Sequence, residues 1–105
     1  MRAVFIYVTC KDRQEAVALG KAAVGARLAA CANVMDGMQS IYWWEGQLET
    51  STEAILIMKT REDLVHPLTE KVKSMHSYTV PCVVALPIVA GNGDYLEWLF
   101  QETGA

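Results

Sequence analysis

The stretch Ser40-Ile41-Tyr42-Trp43-Trp44-Glu45-Gly46-Gln47-Leu48 decides the architecture. Aromatic and β-branched residues, the types that favour strands, run up to Glu45-Gly46, a tight-turn pair. A returning strand follows over Gln47–Thr60 and closes on the apolar run Ala54-Ile55-Leu56-Ile57-Met58. The outgoing arm begins with a short strand at Cys31–Met35, is broken at Asp36-Gly37 and resumes at Ser40. The centre of the chain is therefore a long β-hairpin.

Helical patterns flank it on both sides. Asp12, with Glu15 three residues on, caps a helix predicted over Arg13–Ala29, in which Val17, Gly20, Val24 and Leu28 recur at helical spacing. Gly20 and Gly25 each weaken such a helix by up to about 1 kcal/mol relative to Ala; close packing on a sheet explains Gly20. A second helix is predicted over Arg61–Met75, kinked at Pro67 or starting regularly near it, with Val65, Leu68, Val72 and Met75 as its apolar face. Ala3–Val8 reads as a buried first strand and Val83–Leu86, between Pro81 and Pro87, as the fourth. Asn92 caps a final short helix that buries Tyr95, Leu96, Trp98 and Leu99. The order β-α-β-β-α-β plus a C-terminal helix is an α+β, ferredoxin-like sandwich filling residues 1–105 as one domain.

The lengths do not match. A helix of about 17 residues is ~25 Å long, whereas each hairpin arm of about 14 residues reaches ~45 Å. The distal half is left uncovered, yet it carries Ile41, Tyr42, Trp43 and Trp44. Adjacent Trp43 and Trp44 face opposite sides of a strand. Both are buried only if neighbouring copies clasp the hairpin, so these four residues are the expected interface of an oligomer.

Composition narrows the function. The 105 residues are 52% hydrophobic and 20% charged, enough for a packed core, and the net charge is −3. That charge argues against nucleic-acid and anionic-lipid partners. No apolar run approaches the ~20 residues of a membrane-spanning helix, and the segment from Met1 to Val8 reads as a strand of the mature protein, not a signal peptide. Three widely spaced cysteines, Cys10, Cys31 and Cys82, form no disulfide framework and point to a reducing cytoplasm. Cys31 and Cys82, in or beside apolar strands, are expected to be shielded, and Cys10, in the loop after the first strand, to be the reactive thiol.

No nucleophile–base pair, metalloprotease motif or phosphate loop is present. The loop Thr9-Cys10-Lys11-Asp12-Arg13 lacks the glycines of an acylphosphatase, and Arg13 stands where a copper chaperone of this fold would place a second thiolate. Glu45, Glu49 and Glu53 share a strand face, either a solvated edge or an acidic cation site. Lys59 and Arg61 flank the strand end and could meet an anion. His66 reads as a solvated helix residue. His76 reads either as an imidazole ligand or as a residue answering the helix dipole.

Several segments nonetheless resemble the CutA family of divalent-cation tolerance proteins: Arg27-Leu28-Ala29-Ala30-Cys31-Ala32-Asn33-Val34, Ser40-Ile41-Tyr42-Trp43-Trp44-Glu45-Gly46, Met58-Lys59-Thr60-Arg61, His76-Ser77-Tyr78-Thr79-Val80-Pro81, Ala85-Leu86-Pro87-Ile88 and Gly93-Asp94-Tyr95-Leu96-Glu97-Trp98-Leu99. The match is colinear over essentially the whole chain. It implies a cytoplasmic homotrimer that is not an enzyme, has no obligatory cofactor and responds to Cu2+ or another divalent metal ion. Transferred by position, the metal residues are His76, Met75 in place of a first histidine, and Cys10, two residues beyond Val8, where the family cysteine falls. Ser77 stands where the family carries proline. A second function comes from trimers of the PII signalling type, which share the fold and hold small anionic ligands between subunits; Lys59, Arg61 and Tyr78 would line such a cleft.

Overall fold

The computed structural model describes residues 2–104. Its elements are β1 (Ala3–Cys10), α1 (Arg13–Gly25), β2 (Cys31–Trp44), β3 (Gln47–Arg61), a 3-10 turn (Glu62–Leu64), α2 (Val65–Met75), β4 (Val83–Pro87) and α3 (Gly93–Glu102). The strands form one antiparallel sheet in the order β2-β3-β1-β4, the α+β sandwich expected from the pattern.

Four local details differ from the sequence reading. Helix α1 ends at Gly25, not Ala29, because Arg27 adopts a left-handed φ of 63°. The amides of Arg27 and Leu28 then bond back to the carbonyls of Val24 and Ala23, closing a Schellman cap. Asp36-Gly37 does not break β2. It inserts a β-bulge between Met35 and Met38, with Gly37 at φ 74°, and pairing with β3 continues to Trp44. Pro67 does not kink α2; it sits in the first turn, where no intrahelical partner for an N–H is needed. On α3, Leu99 is buried, but Tyr95 and Trp98 are partly exposed.

The core lies on one face of the sheet. Val4, Ile6, Val8 and Cys10 of β1 and Ala54, Leu56 and Met58 of β3 meet Ala16, Leu19 and Ala23 of α1 and Leu68 and Val72 of α2. Gly20 lets α1 settle onto the sheet: a Cβ there would lie 3.0 Å from Ala32 Cβ and 3.2 Å from Leu56 Cδ1.

The opposite face is half-buried at its centre and exposed along β4. Cross-strand pairing places Phe5, Tyr7, Ile55, Ile57, Val84 and Leu86 together on it, and Val84 and Leu86 are each 48% exposed. Its Ala3 end is covered by Leu99, Leu96 and Phe100 of α3. The hairpin tip turns at Glu45 and Gly46, both at positive φ, 49° and 78°, which is a type I′ turn. The tip projects beyond the helices, giving extents of 45 × 25 × 21 Å, and leaves Ile41, Trp43 and Leu48 more than half exposed.

Candidate functional site

Three metal-competent side chains converge where β1 ends, α1 begins and α2 stops. The Cys10 thiol, a Glu15 carboxylate oxygen and a His76 ring nitrogen lie within 4.8 Å of one another. Alternation along β1 turns Cys10 into the core. Glu15 comes from the first turn of α1. At His76 the chain leaves helical geometry, φ −74° and ψ 143°, and the imidazole drops beneath the sheet end with its side chain fully buried.

Hydrogen bonding orients the imidazole. Nε2 lies 2.8 Å from the Thr9 carbonyl and Nδ1 lies 3.0 Å from the Tyr78 amide. A carbonyl only accepts and an amide N–H only donates, so these two contacts fit the tautomer with its proton on Nε2. Glu15 Oε1 is 3.8 Å from Nδ1, too long for a hydrogen bond. Glu15 instead accepts from the Lys11 and Ser77 amides at 3.0 and 2.9 Å. Burial opposes its ionisation, yet the hydrogen bonds from Lys11 and Ser77 outweigh it and hold the carboxyl below its ordinary value. Burial, reinforced by the charges of Glu15, Glu53 and Asp12, pushes the Cys10 thiol up to about 12.

Thr9 and Tyr78 lead from this trio into a cleft of about 580 Å³ between the distal stretch of β2, from Ser40 to Trp44, and the 78–82 segment. At its floor the Tyr78 hydroxyl donates to Glu53 Oε2 at 2.5 Å. Glu53 is only 6% exposed; burial and that hydrogen bond push the Tyr78 phenol up.

The residues expected to act together separate in the structure. Cys10 and His76 do meet. Met75, at the end of α2, is 43% exposed, unlike the buried imidazole that follows it. Lys59, Arg61 and Tyr78 do not share a cleft within the protomer. The Lys59 ammonium bonds Asn33 and lies over the Tyr95 ring, and Arg61 sits beside Asp63. Six residues of β3, roughly 20 Å, separate Lys59 from Glu53, Tyr78's partner. Glu45, Glu49 and Glu53 make no joint cation site: the first two are exposed while Glu53 is buried. The order of thiol exposure is also reversed, with Cys10 buried and Cys82 exposed, because β1 continues through position 10 and β4 starts only after position 82. Sequence reasoning missed Glu15, taken as part of a helix cap, and Glu53, taken as one of a charged row.

Residues 4–102 match the family described as CutA1 divalent ion tolerance protein. The chain belongs to this family. It is 43% identical to the divalent-cation tolerance protein CutA of Thermus thermophilus over 94% of this chain and 96% of that one. It is 47% identical over 95% of its length to the chloroplastic protein CutA 1 of rice, of which it spans 56%; it thus covers about half of the plant relatives. Among solved structures, CutA1 of Oryza sativa superposes with a TM-score of 0.94 at 45% identity, covering 97% of this chain and 94% of that one. CutA of Archaeoglobus fulgidus, described as periplasmic, gives 0.93 at 39% identity, covering 96% and 98%. The expected cytoplasmic location is overturned: relatives of this family are named chloroplastic in rice and Arabidopsis and periplasmic in Archaeoglobus. The family is named for tolerance of divalent ions and not for a catalysed reaction.

Proposed function

We propose that this chain serves divalent-cation tolerance as a homotrimer that takes up a borderline divalent ion, of the Cu2+ or Zn2+ class, at Cys10, Glu15 and His76. The observation that carries the reading is the convergence of one sulfur, one oxygen and one nitrogen donor within 4.8 Å. Thiolate and imidazole select such ions over Mg2+ and Ca2+. The site is not preformed for tight binding. An ion must displace the Tyr78 amide from Nδ1, or Thr9 from Nε2, and must expel the Cys10 proton. Uptake is therefore weak, proton-releasing and coupled to movement of the 76–78 segment, which suits a protein that responds to excess metal more than one that stores it.

The trimer reading rests on two apolar surfaces, the hairpin residues Ile41, Tyr42, Trp43 and Trp44 and the sheet face around Tyr7, Ile57 and Val84. Contiguous apolar surface of this kind marks a protein–protein contact. An anionic ligand bound by Lys59, Arg61 and Tyr78 is the weaker reading, since Tyr78 is already committed to a carboxylate.

Calorimetric titration with Zn2+, which is redox-silent toward thiols, tests the metal site. Affinity is expected to rise with pH, with heat that depends on the buffer because a proton is released. His76→Ala and Cys10→Ser should each lose most of the binding, and His66→Ala, in the exposed first turn of α2, should lose none. Unchanged affinity in His76→Ala rejects the site.

A further inference from the structure

We propose that His76 offers Nδ1 to the ion and that the hydrogen bond from Tyr78 to Glu53 is a latch opposing its uptake. The inference rests on the metal reading of the Cys10–Glu15–His76 trio and adds to it a ligand atom and a built-in control.

The two ring nitrogens are not equivalent. Nε2 lies 2.8 Å from the Thr9 carbonyl, the contact that a metal-binding imidazole ordinarily makes through its other, protonated nitrogen. Nδ1 is the nitrogen beside the carboxylate, 3.8 Å from Glu15 Oε1. One ion about 2.1 Å from each atom bridges that gap, and the Cys10 thiol lies within 4.8 Å of the nitrogen and oxygen donors. Glu15 is already fixed by the Lys11 and Ser77 amides. Ligation at Nε2 would instead give up the Thr9 contact that orients the ring.

What stands in the way is the Tyr78 amide, whose nitrogen lies 3.0 Å from Nδ1. Its hydrogen occupies the lone-pair direction that an ion needs, so uptake drives the Tyr78 backbone back. Tyr78 is not free to withdraw. Its hydroxyl donates to Glu53 Oε2 at 2.5 Å, and its ring lies against the imidazole with centroids 4.8 Å apart. Glu53 is 6% exposed and held in the β2–β3 ladder opposite Met38, so it does not follow. A short hydrogen bond to a carboxylate is among the stronger ones, and breaking it lowers the affinity for the ion. The coupling is reciprocal: a bound ion weakens the Tyr78–Glu53 contact by the factor by which that contact weakens the ion. Both hydrogen bonds lie within one protomer, so the latch requires no open cleft and is compatible with a neighbouring copy seated on the hairpin.

The test titrates Zn2+ into the assembled, metal-free full chain, followed by calorimetry and by hydrogen exchange at the Tyr78 amide. Tyr78→Phe removes the latch and should tighten Zn2+ binding about tenfold, as loss of a hydrogen bond to a charged group implies. Glu53→Gln keeps an acceptor without the charge and should tighten it less. A substitution that merely loosened the site would weaken binding instead. In the unmodified protein, Zn2+ should speed exchange of the Tyr78 amide, which loses its acceptor. Suppose that His76→Ala loses affinity while Tyr78→Phe binds no more tightly than the parent, or that exchange at Tyr78 is unchanged or slower with Zn2+. Either result overturns the latch and leaves the metal site standing. Affinity untouched by His76→Ala, or no binding by the unmodified protein, removes the metal site and the latch with it.

Discussion

At the scale of single residues, two glycines in one helix illustrate how position decides the effect of a methyl group. Gly25 is open, with nothing within 4 Å of an added Cβ, while Gly20 faces Ala32 Cβ at 3.0 Å. Gly25→Ala should therefore stabilise the fold by about 0.5–1 kcal/mol by restricting the unfolded chain. Gly20→Ala should instead lower the melting temperature, because the rigid Ala32 methyl cannot move aside. Chemical denaturation of both variants checks the pair; a stabilised Gly20→Ala would mean that α1 shifts freely on the sheet. The thiols provide a second residue-scale expectation. With Cys10 buried and raised to about 12, a thiol reagent at mildly alkaline pH should label exposed Cys82 first and Cys10 last, as read by mass spectrometry of timed samples. Faster labelling of Cys10 would show that the end of β1 frays.

At the scale of elements, the hairpin is the part whose behaviour is least set by its own chain. Its turn places Glu45 in the left-handed region, a conformation that costs a side chain such as Glu roughly 1 kcal/mol and that Asn tolerates better. Glu45→Asn should raise stability by up to about that amount without altering assembly. The strand before it behaves differently. Trp43 is 73% exposed in the single protomer, so Trp43→Glu should leave the protomer folded. If neighbours clasp the tip, the same change forces a charge into an apolar contact at a cost of several kcal/mol, on the order of 2–7 for a buried polar group. The expected result is a normal circular dichroism spectrum with a lower mass in light scattering; an unaltered mass would remove the hairpin from the interface.

At the scale of the whole molecule, Glu15 ties the start of α1 to the loop after β1 and to the segment after α2. Its carboxyl is held below the ordinary value in the folded protein, so the unfolded chain binds the proton more readily. The stability that this confers is complete above the unfolded value of about 4.3 and disappears as pH falls through the lower folded one. Melting temperatures measured from about pH 6 down to about pH 3 should fall for the parent protein, and less steeply for Glu15→Gln, which starts lower. Parallel curves would assign the acid sensitivity to other carboxylates. In light scattering, the parent is expected at three times the 11.6 kDa of one chain at micromolar concentration, and a monomer mass would reject the trimer.

Period and punctuation in the chain were sufficient for the order of elements, the long hairpin, the caps at Asp12 and Asn92 and the glycine contact under α1, because each depends on neighbours a few residues away. Local signals also misled in places. Arg27 ends α1 in a conformation usually left to glycine, and its side chain is tied 75 positions away to Glu102 at 2.6 Å, which no window of sequence contains. The candidate site was half legible. Cys10 and His76 stood out as chemical types, but Glu15 looked like a cap and Glu53 like one of a solvated row. Their roles arise only when β1, α1, β3 and the segment after α2 meet at one corner. There, burial by distant residues decides which carboxylate is shielded, which thiol stays protonated and which partners occupy the two imidazole nitrogens. Sequence sets which groups are available; the low-dielectric contacts of the tertiary structure set their charge and partners.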